Sequence, residues 1–248
     1  MKWIEAKDAQ EMSVLAARLI VNQVRKKPKT VLGLATGGTP IGTYTELVRE
    51  AKVGGTDYHQ VTTFNLDEYV GIAPGDRNSY RFYMDHHLFH HINLATSHLP
   101  DGMASDLGLE CERYEGRIAA SGGIDLQLLG IGTNGHIGFN EPGTSFQSTT
   151  HIVALTEATR QANARFFNHL SEVPTHAITM GIATIMKSKQ IILLASGDKK
   201  ADILYRLAAG EVDEQVPASI LKQHADVTII ADTAALQKVK ERESCSLR

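Results

Sequence analysis

Short runs of apolar residues alternate along the chain with longer stretches in which apolar residues recur every three or four positions. Val31-Leu32-Gly33-Leu34-Ala35 and Val61-Thr62-Thr63-Phe64-Asn65-Leu66 read as strands, as do the runs at 126–131, 151–155, 177–180, 191–195 and 227–231. The helical spacing predicts helices over roughly 8–26, 40–51, 78–91, 105–120, 157–170, 198–209 and 232–241. Strands that are apolar on both faces need cover on both faces, and the intervening helices supply it. The pattern therefore predicts an α/β, Rossmann-like fold: a mostly parallel sheet with helices on both faces.

Ligands of such sheets bind beyond the carboxyl ends of the strands. Four polar loops fall there on this reading. They are Thr36-Gly37-Gly38-Thr39-Pro40, Asp67-Glu68-Tyr69, the run from Gly130 to Gly143, and Ser196-Gly197-Asp198-Lys199-Lys200. The third presents Asn134, His136 and Glu141 on a glycine-rich turn directly after an apolar strand. Glycine admits close backbone approach, and a carboxylate beside an imidazole can fix its tautomer and keep it basic near neutral pH.

Composition narrows the classes without choosing among enzymes. The 248 residues are 42% hydrophobic and 21% charged, an ordinary globular balance, and no linker-like tract divides them, so a single domain over 1–248 is expected. The net charge is -3 with no long basic run, which argues against nucleic acid as a partner. The two cysteines, Cys111 and Cys245, form no CxxC, in keeping with a reduced, cytoplasmic protein. The first residues lack a signal-peptide core and no run is apolar enough to span a membrane, so no membrane association is expected.

Thr36-Gly37-Gly38-Thr39-Pro40 joins a strand to a helix, so its backbone amides and the helix N-terminus suit an anion. It is neither a nucleotide P-loop nor GxGxxG. A phosphomonoester needs cations as well, and Arg165 and Lys200 are candidates. Asp67 and Glu68 are adjacent carboxylates at a strand end; they shift each other's pKa, and one of them suits removal of a carbon-bound proton. His86/His90 and His87/His91 have i, i+4 spacing, but without an acidic third ligand a helix face is expected rather than a metal site. Arg160 and Arg165 do not share a helix face, and spacing does not say which one points at the site.

Taken together these motifs resemble the glucosamine-6-phosphate deaminases of the sugar-phosphate isomerase/deaminase superfamily. The resemblance rests on 33–40, Asn65-Leu66-Asp67-Glu68-Tyr69-Val70-Gly71, Asn78-Ser79-Tyr80, Gly132 through Pro142, 159–167 and Ile178-Thr179-Met180-Gly181, and it extends to about residue 235. The related 6-phosphogluconolactonases share the Gly-His core but continue differently, so Phe139-Asn140-Glu141-Pro142 favours the deaminases. The resemblance implies conversion of glucosamine 6-phosphate and water to fructose 6-phosphate and ammonia, with no metal or organic cofactor. It implies that His136 opens the pyranose ring, that Glu141 orients that imidazole, and that Asp67 moves a proton from C2 to C1. The sugar phosphate would be held by Thr36, Gly37, Gly38, Thr39, Arg165 and Lys200, under a lid near 156–170.

Two departures stand out. Many members of that family have Asp where this chain has Asn134, which carries no charge but can still accept a hydrogen bond from the ring or the substrate. Allosteric hexameric members have two basic residues where this chain has His151 and Val153, and a longer tail. A non-allosteric monomer or small homo-oligomer is therefore expected. The alternatives are a lactonase or isomerase of a related phosphosugar, and a sugar-phosphate sensor. A sensor could dispense with Asp67 and His136 and would carry a DNA-binding segment.

Overall fold

The computed structural model describes residues 1–164, 167 and 169–246. Its strands are β1 (Lys2–Ala6), β2 (Val31–Leu34), β3 (Thr62–Asn65), β4 (Asp67–Tyr69), β5 (Thr96–His98), β6 (Leu126–Gly130), β7 (His151–Ala154), β8 (His176–Thr179), β9 (Gln190–Ala195) and β10 (Val227–Asp232). The helices are α1 (Ala9–Lys26), α2 (Ile41–Val53), α3 (Tyr80–His87), α4 (Leu107–Ala120), α5 (Glu157–Asn163), α6 (Ile182–Met186), α7 (Ala201–Ala209) and α8 (Gln237–Ser246). Seven strands form a parallel sheet in the order β1-β10-β9-β6-β2-β3-β5.

Residue alternation along the central strands feeds two separate cores. Leu32, Leu126, Leu128, Ile192 and Ile230 pack under α1 and α2 with Met12, Ile20, Tyr44 and Leu47. Val31, Leu129, Ile191, Leu193 and Ile229 pack on the other side with Tyr114 and Ile118 of α4 and Leu204 and Leu207 of α7. This two-sided burial is why those strands read as continuous apolar runs.

The edge strands β1 and β5 carry no such run, and periodicity does not reveal them. Only one side of an edge strand has a neighbour, so exposed and half-buried residues such as Lys2, Trp3 and Thr96 are tolerated.

The pattern also misassigns two strands. The segments at 151–155 and 177–180 were expected in the parallel sheet. They instead form a three-stranded antiparallel sheet, β4-β8-β7, whose first strand contains Asp67 itself. β7 alternates half-buried and exposed positions, the signature of a strand covered on one face. The helix expected over 157–170 ends at Asn163, and Leu170–Glu172 forms a separate 3-10 turn. Residues 165, 166 and 168, within that expected helix, lie outside the described residues. The short α6 after Gly181 is a further element the spacing did not reveal.

The chain enters the sheet interior at β2, moves outward through β3 to β5, then returns to the other flank of β2 as β6. The switch point lies between β2 and β6, where helical connections diverge and a crevice opens at the carboxyl ends of the strands.

Candidate active site

A cavity of about 480 Å³ occupies that crevice. Its walls come from the loops after β2, β3, β6 and β9, with Thr159 and Asn163 of α5 added. Of the candidate residues, Thr36, Gly37, Gly38, Thr39, Asp67, Asn134, His136 and Lys200 all line it. Glu141 stands behind His136, and Arg165 lies outside the described residues. Tyr80, Thr159 and Asn163 also line the cavity and were not singled out as site residues, although all three sit in segments that carried the family resemblance.

The loop after β2 is shaped for an anion. Gly37 has φ +95, a left-handed conformation that side chains disfavour, and a Cβ there would meet no atom within 4 Å, so the backbone faces open space. Tyr83 holds the loop by donating to the Gly37 carbonyl at 2.6 Å. Side chains cap α1, α3, α4 and α5 but not α2, α6 or α7, and of these α2 begins directly at the loop that lines this cavity. The first amides of α2 have no side-chain acceptor, as a helix N-terminus that receives a phosphate requires, whereas α7 continues a 3-10 turn whose Asp198 carbonyl already accepts the Ala201 amide. Lys200 donates to the Ile131 carbonyl at 2.7 Å, and burial lowers its pKa.

Asp67 is buried where β3 hands over to β4. Its carboxyl shares a side-chain hydrogen bond with Thr36, and Oδ1 has no hydrogen-bond partner. Burial, reinforced by the neighbouring Glu68, pushes its pKa up to about 8. The Thr36 hydroxyl thus faces Asp67 and Tyr80 rather than standing free with the rest of its loop.

Glu68 has a different task. Its carboxylate accepts the backbone N–H groups of Tyr69, Tyr80 and Arg81, each at 2.9 Å, two of them from the first turn of α3. Burial raises its pKa while these amides oppose the rise. Adjacent carboxylates therefore separate into one without amide partners and one tied to a helix end.

The loop after β6 brings an imidazole and a carboxylate together. His136 Nδ1 lies 3.6 Å from Glu141 Oε2 and has no hydrogen-bond partner. Glu141 is held by Asn134, whose amide donates to Oε2 at 2.7 Å, and by Thr159, whose hydroxyl donates to Oε1 at 2.5 Å. Burial would raise the pKa of Glu141, but His136, Thr159 and Asn134 together hold it down at about 2. Asn134 is bonded to Glu141 and, through Oδ1, to the His136 backbone N–H at 3.2 Å, not to the imidazole ring. A Cβ on Gly132 would lie 2.3 Å from the ring of His136, so only glycine lets the imidazole occupy its place. Asn140 fastens the loop by donating to the carbonyls of Ile137 and Met180 at 2.8 and 2.9 Å.

Arg160 is engaged elsewhere. Its guanidinium donates to the carbonyls of Leu170 and Val173 at 3.1 and 3.2 Å, tying α5 to the 3-10 turn. The histidine-rich stretch is not one helix face, because α3 ends at His87, and His91 Nε2 lies 2.8 Å from the His86 carbonyl. Among the described residues no group of three or more His, Cys, Asp or Glu is placed to hold a metal ion.

The arrangement offers a buried carboxyl for proton transfer at carbon, an imidazole for proton transfer at oxygen, and an amide-rich loop with a lysine for an anion. Comparison with known proteins agrees. The family model described as glucosamine-6-phosphate isomerases/6-phosphogluconolactonase matches residues 5–230. A glucosamine-6-phosphate deaminase of Halalkalibacterium halodurans is 60% identical over 96% of this chain and 98% of its own length. A solved monomeric glucosamine-6-phosphate deaminase superposes with a TM-score of 0.93 at 49% identity, covering 96% of this chain and 100% of its own. The 6-phosphogluconolactonase of Trypanosoma brucei, at 19% identity and a TM-score of 0.78 over 96% of this chain and 98% of its own, shares the fold. The chain therefore belongs to the glucosamine-6-phosphate isomerase/6-phosphogluconolactonase family, on the side of the glucosamine-6-phosphate deaminases.

Proposed function

We propose that the chain converts glucosamine 6-phosphate and water to fructose 6-phosphate and ammonia, as a deaminating aldose–ketose isomerase of amino-sugar catabolism. The observation that carries this reading is the buried Asp67 carboxyl in the wall of the cavity that His136 also lines. Lactone hydrolysis, the other activity in the family's name, breaks no carbon–hydrogen bond and needs no such base.

In the proposed mechanism the Thr36–Thr39 loop, Lys200 and Arg165 hold the phosphate. His136, oriented by Glu141, takes the anomeric hydroxyl proton and returns it to the ring oxygen, opening the pyranose. Asp67 removes the C2 proton to give an enolamine and delivers the proton to C1, leaving an iminium at C2. Water adds to C2, and ammonia leaves. One carboxyl serves both carbons because C1 and C2 are adjacent. A raised pKa suits this shuttle, which must release the proton as readily as it takes it. The C2 ammonium of an arriving substrate would favour the ionised form of Asp67.

We read 1–248 as one deaminase domain with 156–170 as a lid, acting as a monomer or small homo-oligomer in the cytoplasm. No helix among the described residues is long and apolar enough to cross a membrane. The test is ammonia release from glucosamine 6-phosphate by the purified protein, with hydrolysis of 6-phosphogluconolactone assayed beside it. Ammonia from the first substrate and no acceleration on the second is expected; the opposite result overturns the proposal.

A further inference from the structure

The two groups assigned to proton transfer stand on different loops, Asp67 after β3 and the His136–Glu141 pair after β6. One element touches both. Thr159 and Asn163 are four residues apart on α5, one above the other on the same face, and both line the cavity. The Thr159 hydroxyl donates to Glu141 Oε1 at 2.5 Å. It accepts in turn from the Thr156 hydroxyl at 3.0 Å, the residue that caps α5. With Asn134 on the other oxygen, the carboxylate behind His136 is gripped at both ends.

Asn163 reaches the other half of the site through a chain of hydroxyls. Its side chain hydrogen-bonds the hydroxyl of Tyr69. Tyr80 donates to that same hydroxyl at 3.2 Å. Thr36 hydrogen-bonds Tyr80 and also Asp67, so the chain ends on the carboxyl itself. Packing keeps the links in register: the rings of Tyr69 and Tyr80 lie 4.7 Å apart, and Phe139 stacks on Tyr80 at 6.2 Å. Tyr69 is buried, and Tyr80 and Thr36 are half-buried in the cavity wall, so each hydroxyl lies beside the next along that wall.

We propose that Thr159 and Asn163 are positioning residues, one turn of α5 that sets Glu141 behind His136 and, through Tyr69, Tyr80 and Thr36, sets the Asp67 carboxyl. The proposal rests on the assignment of ring opening to His136 and of carbon-proton transfer to Asp67. Because both contacts leave the same helical turn, α5 aligns the two steps together.

The test is steady-state kinetics on Thr159→Val, Thr159→Ser and Asn163→Leu with ordinary and C2-deuterated glucosamine 6-phosphate. Thr159→Val and Asn163→Leu should each lower kcat by about 10- to 100-fold, the range for losing a hydrogen bond on the path to a charged group, with KM changed by less than about threefold. Thr159→Ser keeps the donor and should stay within about threefold of the unmodified protein. The isotope effect separates the two arms. Thr159→Val slows ring opening, so its deuterium effect on kcat should fall toward 1. Asn163→Leu slows carbon-proton transfer, so its effect should be larger than in Thr159→Val. Tyr69→Phe deletes the middle hydroxyl while keeping the ring, and it repeats the second arm if Asn163→Leu does not fold. Unchanged kcat in either variant overturns the proposal, as does an equal loss with the same isotope effect in both, or failure of serine to rescue. Absence of ammonia release by the unmodified protein overturns the underlying assignment, and this proposal with it.

Discussion

Asp67→Asn exchanges a buried carboxyl for a neutral amide of nearly the same shape, and its consequence for stability can be worked out from the site. The unfolded carboxyl ionises near 3.8, while in the folded protein burial, aided by the adjacent Glu68, raises this to about 8. Below 3.8 both states hold the proton and the residue contributes nothing to the pH dependence. Between 3.8 and about 8 the unfolded chain has lost its proton and the folded protein still holds one, so stability falls as pH rises through that window. Above it the cost is complete. At pH 7 a little over three units separate the solution pH from the unfolded value, equivalent to about 4 kcal/mol at about 1.4 kcal/mol per unit. Asparagine does not titrate and avoids this cost. The variant should therefore match the unmodified protein near about pH 4 and exceed it increasingly toward neutrality, by up to about 4 kcal/mol. Urea unfolding of both proteins across that range measures the difference directly. The same variant should bind the substrate phosphate yet release no ammonia. A stability difference that is constant with pH, or a variant that becomes relatively less stable as pH rises, would refute the reasoning.

Four further outcomes follow from the site. Because Asp67 must be ionised to accept the C2 proton, kcat/KM should rise with pH along a limb near about 8 set by its folded pKa, and a rate that falls across that range contradicts the base role. Lys200→Ala and Arg165→Ala should each raise KM by roughly 10- to 100-fold, as expected for a charge-assisted phosphate contact, with less effect on kcat; equal reaction of unphosphorylated glucosamine would dismiss the phosphate site. Gly132→Ala should fold but displace the imidazole of His136, lowering kcat by about 100-fold or more, since misplacement by about an ångström is costly; unchanged kcat would show that the ring tolerates the methyl group. Rates against glucosamine 6-phosphate should be hyperbolic and unaffected by N-acetylglucosamine 6-phosphate, because Val153 carries no donor and packs against the cluster containing Tyr69 and Phe139. A sigmoidal curve made hyperbolic by that effector would mean a second site exists.

Much of this protein was readable in its residues. The central strands announce themselves because burial on both faces demands nearly continuous apolar residues, as in 191–195 and, with the buried Gln127 as the exception, 126–131. The loop chemistry is equally local: Gly37, His136, Glu141 and Asp67 each follow a recognisable strand, and the switch-point rule collects them at one edge. Tertiary structure decided what neighbours alone can decide. It separated β7 and β8 from the main sheet, because strand period is the same for parallel and antiparallel partners, and it added the edge strands β1 and β5, whose exposed positions leave no apolar run. It gave Asp67 and Glu68 opposite roles, since only the fold brings the N–H groups of Tyr80 and Arg81 to one carboxylate and none to the other. It turned Asn134 toward Glu141 across the loop after β6, and it hung Glu141 from Thr159, a contact set by the docking of α5, which no spacing within the chain encodes. Local sequence determines which groups are present and which strand end they follow. Burial and partnership, which fix their charge and direction, come from distant segments brought together by the two cores.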